Sequence, residues 1–150
     1  MRTLDLAKWT LVGPGAVGLY YSGRIAYSGY KLCVLARSDA RELEANGIRI
    51  EMIDPETNEL KETFTAPIEC VRRKANRIGA TDCVIIAAKS TVNLELVESL
   101  KSIVELRHTV LLCLQNGLGN AEFFAQHFPE NPILTGLCFV CVHRTKPGLV

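Results

Sequence analysis

Near its start the chain runs Trp9-Thr10-Leu11-Val12, then Gly13-Pro14-Gly15-Ala16-Val17-Gly18, then an apolar pattern with Val17, Tyr20, Tyr21 and Ile25 at near-helical spacing. A short apolar strand meeting a G-x-G-x-x-G turn that opens a helix admits few folds. In that setting Gly13 makes the tight turn, and Gly15 lets the backbone approach a pyrophosphate with no Cβ in the way. Gly18 allows the helix to pack closely on the strand. The first amides of the helix and the positive end of its dipole then hold the anion. A merely structural turn is the alternative reading, and the flanking strand and helix weigh against it.

The rest of the chain repeats the strand and helix alternation. Gly29 is a helix stop, and Leu32-Cys33-Val34-Leu35-Ala36 is apolar without alternation, as buried parallel strands are. Ser38-Asp39 opens a short helix that closes at Asn46-Gly47. Alternating stretches over 48–53 and 60–65, separated by the turn signal Asp54-Pro55-Glu56, predict an exposed antiparallel hairpin that decorates the domain. Cys83-Val84-Ile85-Ile86-Ala87-Ala88 predicts a buried strand, and Asn93 to Lys101 a helix with Leu94, Val97 and Leu100 in register. Another strand spans Thr109 to Leu114, a helix runs from Ala121 to near Pro129, and Ile133 to Val142 is an extended run broken by Gly136. The expected fold is α/β: a Rossmann-type, mostly parallel sheet with flanking helices and an inserted β-hairpin. At 150 residues a single domain accounts for the length.

In open α/β sheets ligands sit at the carboxyl ends of the strands. Three polar groups occupy such ends. After the second strand comes Ala36-Arg37-Ser38, with Asp39 one step further. An acidic residue there would bind ribose hydroxyls, whereas arginine accommodates a 2′-phosphate, so Arg37 favours NADP(H) over NAD, FAD or S-adenosylmethionine. Lys89-Ser90 follows the strand ending at Ala88, and Gln115-Asn116-Gly117 follows the strand ending at Leu114. Taken singly, Lys89 reads as well as a snorkelling surface lysine and Asn116-Gly117 as a turn.

Together these segments resemble the ketopantoate reductase family. The resemblance rests on Gly13-Pro14-Gly15-Ala16-Val17-Gly18-Leu19-Tyr20, Ala36-Arg37, Ala87-Ala88-Lys89-Ser90 and Gln115-Asn116-Gly117-Leu118-Gly119-Asn120, in that order, and it extends through Pro147-Gly148. It implies NADPH-dependent reduction of 2-dehydropantoate to pantoate, on the route to pantothenate and coenzyme A. By the same resemblance the turn from Gly13 to Gly18, with Pro14, Gly15, Ala16 and Val17 between, holds the pyrophosphate, and Arg37 the 2′-phosphate. Lys89 and Asn116 lie by the nicotinamide end, where Asn116 also reaches substrate. Family members carry a C-terminal helical domain that supplies a proton-donating lysine and a substrate-binding glutamate. The sequence ends at Val150, so the catalytic residues are expected in a domain absent from this chain, and reductase activity of the chain alone is expected to be negligible. A related dehydrogenase of another 2-oxo or 2-hydroxy acid is an alternative. A stand-alone nucleotide-binding module is another, and a truncated remnant that self-associates a third.

Composition adds mainly exclusions. A formal net charge of +1 carries no nucleic-acid footprint. No apolar stretch approaches bilayer length, and Met1 to Lys8 is no signal peptide, so a soluble cytoplasmic protein is expected. A homo-oligomer is left open, and the expected partner is a small 2-oxo acid. The six cysteines, Cys33, Cys70, Cys83, Cys113, Cys138 and Cys141, are read as small buried hydrophobes without disulfides. Cys138 and Cys141 have C-x-x-C spacing, but an extended chain turns them to opposite faces.

Overall fold

The computed structural model describes residues 7–150. Six strands form one parallel sheet: β1 (Lys8–Val12), β2 (Lys31–Leu35), β5 (Cys70–Arg72), β6 (Cys83–Ile86), β7 (Val110–Cys113) and β8 (Ile133–Thr135). Their spatial order is β5-β2-β1-β6-β7-β8. Counted along the chain within this sheet, that is the order 3-2-1-4-5-6, the doubly wound arrangement of dinucleotide-binding domains. The winding reverses between β1 and β6, so a crevice opens there at the carboxyl ends of both strands.

Helices α1 (Ala16–Tyr27), α2 (Ala40–Asn46), α3 (Asn93–Leu100) and α4 (Asn120–His127) make the crossovers. The central strands bury both faces, which is why they read as unbroken apolar runs. Leu11, Leu32, Val34 and Ile85 join the cluster on the α1 side. Their neighbours Val12, Cys33, Val84 and Ile86 join Leu96, Val97, Leu100 and Phe124 on the other. Two helix faces differ from the sequence reading. In α1 the fully buried residues are Gly18, Leu19, Ser22, Gly23 and Ala26, while Val17, Tyr20, Tyr21 and Ile25 are only partly covered. In α3 Leu94 points to solvent, and Leu96 takes its place beside Val97 and Leu100.

The reason in α1 is a second sheet. Strands β3 (Ile48–Ile53) and β4 (Leu60–Ala66) pair antiparallel, as the alternation predicted. They are no mere decoration, because Ile48, Ile50, Phe64 and Ala66 are buried against α1. A Cβ on Gly23 would lie 2.8 Å from Ile50 Cδ1 and 3.0 Å from Ile48 Cγ2, so this face of α1 carries small residues. Arg49 and Glu51 alternate away from that face, and pair with each other at 2.8 Å.

The final residues close onto this hairpin. Only Ile133–Thr135 of the expected long extended run joins β7, and Gly136 adds one bond to the Cys113 carbonyl at 2.8 Å. A Cβ at Gly136 would stand 2.3 Å from Leu114 Cδ2. The chain then crosses the molecule, and its last residues lie parallel to β3. Arg49 N–H donates to the Gly148 carbonyl and Glu51 N–H to that of Val150, both at 2.8 Å.

Strand β5 has no counterpart in the sequence reading, and it changes the cysteine assignment. Cys33 and Cys70 face each other in the β2–β5 register and are joined as a disulfide, with Cα atoms 4.6 Å apart. The expectation of six unpaired thiols is corrected for these two. Cys83, Cys113, Cys138 and Cys141 are free, so the C-x-x-C pair is unbonded. Among the described residues no helix is long and apolar enough to cross a membrane.

Thiol reactivity follows from burial, since the thiolate is the reactive form. Desolvation, aided by the Asp82 charge, pushes Cys83 up to about 12, and desolvation with Glu122 pushes Cys113 up to about 11. Iodoacetamide at neutral pH is therefore expected to alkylate exposed Cys141 in the native protein and to spare Cys83 and Cys113 until denaturation. Peptide mapping by mass spectrometry reads the result, and early alkylation of Cys83 would contradict the packing.

Candidate functional site

The crevice at the winding reversal is a cleft of about 900 Å³. The glycine turn and the start of α1 form one wall, and the face of α3 carrying Leu96 and Ser99 forms another. Arg37, Arg73 and Lys74 stand at the β2–β5 side, and Lys89 follows β6.

Each glycine of the turn meets a different constraint. Gly13 has φ +89°, and a Cβ there would sit 2.2 Å from the Ala88 backbone nitrogen. A Cβ on Gly18 would fall 2.5 Å from the Gly13 carbonyl oxygen and 2.9 Å from Leu11 Cδ1. The protein's own packing requires both. Gly15 is different: its φ is −82°, and a Cβ there would touch nothing within 4 Å. Neither backbone strain nor packing calls for glycine at this position. The free volume opens into the cleft, as the close approach of a bulky anion requires.

The amides around it are available. Gly15 N–H closes the turn on the Gly13 carbonyl at 2.8 Å, and the first bond of α1 runs from Leu19 N–H to the Gly15 carbonyl at 2.9 Å. The amides of Ala16, Val17 and Gly18 precede that bond and are the orphan donors of the helix start. No side chain caps this end, and no acidic residue lies in its first turn to compete with a bound anion. Such a terminus suits a phosphate-containing group.

The cationic end of the cleft is built from several elements. Arg37 is exposed, and its guanidinium pairs across the cleft with Glu95 of α3. Arg73, in the loop after β5, donates to the Arg37 carbonyl. Asp39 is buried, with Oδ1 accepting from the Ser38 hydroxyl at 2.7 Å and Oδ2 from Arg144 at 2.5 Å. Arg144 also reaches the Pro14 carbonyl at 3.4 Å. Arg73, Glu95 and Arg144 went unrecognised in the sequence. Only the basic run Arg72-Arg73-Lys74 offered a signal, and it became meaningful once β5 placed it beside β2.

The other two sequence candidates separate. Lys89 lines the cleft, exposed, at the N-terminal end of a 3₁₀ turn over Ser90–Val92. Asn116 is exposed on the loop after β7 and does not line the cleft. Its neighbours do structural work instead. Gln115 Nε2 donates to the Ala88 carbonyl at 2.8 Å and to Asn93 Oδ1 at 2.7 Å. Asn93 Nδ2 donates in turn to Asn120 Oδ1 at 3.1 Å, and Asn120 Nδ2 to the Asn116 carbonyl at 3.1 Å. This chain of amides locks the ends of β6 and β7 to the starts of α3 and α4. Among the described residues, no group of three His, Cys, Asp or Glu side chains gathers to hold a metal.

Comparison with known proteins agrees with this architecture. The family model described as ketopantoate reductase PanE/ApbA matches residues 9–150. A 2-dehydropantoate 2-reductase of Nostoc sp. is 31% identical over 143 residues, covering 95% of this chain and 42% of the relative. One from Halobacterium salinarum is 27% identical, covering 92% and 43%. Among solved structures, the 2-dehydropantoate 2-reductase of Geobacter metallireducens aligns with a TM-score of 0.80 at 32% identity, over 95% of this chain and 44% of that one. D-mandelate dehydrogenase, solved with NADH and anilino(oxo)acetate, shares the fold at a TM-score of 0.72 and 19% identity. The chain thus spans less than half the length of the curated relatives it matches. Over that span it belongs to the ketopantoate reductase PanE/ApbA family.

Proposed function

We propose that this chain is the cofactor-binding part of an NADPH-dependent reductase of 2-dehydropantoate. The observation that carries this reading is the cleft at the winding reversal. It joins an uncapped helix N-terminus, a glycine whose missing Cβ leaves room for a ligand, and an arginine at the end of β2. Bound NADPH would supply a hydride to the C2 carbonyl of the 2-oxo acid. The residues of this chain bind and orient. The turn from Gly13 to Gly18 holds the diphosphate through the Ala16, Val17 and Gly18 amides, with Pro14 and Gly15 shaping the approach. Arg37 takes the 2′-phosphate, for which a planar forked donor is suited. Lys89 stands after β6, on the carboxyl edge shared with the turn, where its charge favours the anionic end of cofactor or substrate. To Asn116 we assign, on the family resemblance alone, a contact with the nicotinamide end and the 2-oxo acid, since its side chain stands exposed on the loop after β7 and outside the cleft lining.

The developing alkoxide also needs a proton, and we assign that task to residues of the family's remaining length rather than to Lys89. These 150 residues then account for dinucleotide binding, and protonation falls to the family's remaining length.

Two experiments test this reading. In calorimetric titrations the chain is expected to bind NADPH more tightly than NADH. Arg37→Ala should weaken NADPH by about tenfold or more, the worth of a charge-assisted contact, and leave NADH nearly unaffected. Equal losses for both dinucleotides would contradict the role given to Arg37. The glycines should also separate. Gly15→Ala is expected to leave the unfolding free energy within about 0.5 kcal/mol of the parent while weakening dinucleotide binding. Gly18→Ala is expected to cost about 1–3 kcal/mol of stability through overpacking against the Gly13 carbonyl. Chemical denaturation measured beside the titrations distinguishes the two, and Gly15→Ala with undiminished binding would place the diphosphate elsewhere.

A further inference from the structure

The cationic end of the cleft contains two carboxylates, and the arginines treat them differently. Glu95 is 55% exposed and its partner Arg37 76% exposed, so the pair is open to water and salt. An ion pair of that kind is weakly held, and an incoming phosphate can take the guanidinium. Asp39 has only 6% of its side chain exposed, and both its oxygens are occupied, by the Ser38 hydroxyl and by Arg144. A buried carboxylate cannot lose its partner cheaply, so this second pair persists.

The positions matter. Asp39 lies two residues beyond Arg37, in the segment after β2 where an acidic side chain would bind the hydroxyls of an unphosphorylated ribose. The sequence favours the reading through Arg37, with Asp39 near enough to compete for the ribose. Arg144 decides between them. It arrives from the segment that crosses back after β8, at a separation of 105 residues from Asp39, and its guanidinium also reaches the Pro14 carbonyl of the glycine turn. Both Asp39 and Arg144 line the cleft, so the pair stands at the binding surface.

We propose that Arg144 is a specificity-determining residue: by holding Asp39 it removes the acidic reader of the ribose and the like charge that would repel a 2′-phosphate, leaving Arg37 to select the phosphorylated dinucleotide. Arg144 acts here as a positioning residue through Asp39. The inference rests on the proposed NADP(H) site and adds a second determinant to it.

The test is the ratio of dissociation constants for NADH and NADPH, measured by titration of the parent chain, Arg144→Ala, and Arg144→Ala combined with Asp39→Asn. In Arg144→Ala the freed carboxylate should shrink the preference for NADPH by ~10-fold or more, an effect of the size seen when one member of a buried charge pair is removed. Adding Asp39→Asn should restore most of the preference, because the charge that Arg144 masks is then gone. Thermal melts run beside the titrations read the buried pair independently. Arg144→Ala should lower the melting temperature, and the added Asp39→Asn should recover part of the loss. Equal weakening of both dinucleotides in Arg144→Ala, unrelieved by Asp39→Asn, would overturn the inference and leave the NADP(H) site standing. A parent chain with no preference for NADPH would overturn both. If Arg144→Ala alone fails to fold, the double variant decides: a preference for NADPH like the parent's supports the role of Asp39, and its loss contradicts it.

Discussion

The close approach of α1 to the carboxyl ends of β1 and β6 is the constraint on which the rest of the structure depends. Gly13 and Gly18 make it: a side chain at either would collide with backbone atoms at 2.2 Å and 2.5 Å. With the helix seated there, its first amides face the crevice where the winding reverses. The same seating presses the opposite face of α1 onto the hairpin, where Gly23 meets Ile48 and Ile50. One helix therefore joins the two sheets and aims its uncapped N-terminal amides into the cleft. Leu19 apart, its buried residues are small, because it must approach neighbours on both sides.

The crossing segment after β8 ties the same parts together from outside. It bonds β7 at Gly136, grips Asp39 and the glycine turn through Arg144, and pairs with β3 at residues 148–150. Packing and the lining of the cleft thus share residues. Arg144 fastens the segment down by the same contacts that pair a carboxylate at the cleft surface, and Gln115, Asn93 and Asn120 hold the ends of β6 and β7 by hydrogen bonds between their side-chain amides.

Much of this was legible because local patterns carry it. The G-x-G-x-x-G turn, the apolar runs at 32–36 and 83–88 and the alternation at 48–53 each encode their element within a few residues. What escaped depended on distance along the chain. Strand β5 has three residues, too few to show a periodic pattern, so neither the Cys33–Cys70 pairing nor the placement of Arg73 could be read in advance. Leu94 and Leu96 are equivalent by composition, and only tertiary packing chose Leu96 for the core. Arg144 is an unremarkable basic residue until the chain folds back over 105 positions to meet Asp39. Asn116 belongs to a segment whose sequence was distinctive, yet its flanking residues Gln115 and Asn120 make the side-chain bonds.

The sheet has a second cavity, of about 480 Å³, at the amino ends of its strands, lined by Lys8, Lys31, Asp82 and His108. It makes a direct test available, because the two cavities lie at opposite edges. Amide resonances of an isotope-labelled chain, followed by NMR during titration with NADP⁺, would locate the bound dinucleotide. The largest shifts are expected at Gly15, Ala16, Val17 and Gly18, with further shifts near Arg37 and Arg73. Shifts centred instead on Lys31, Asp82 and His108, with the glycine turn unmoved, would contradict a dinucleotide site at the winding reversal.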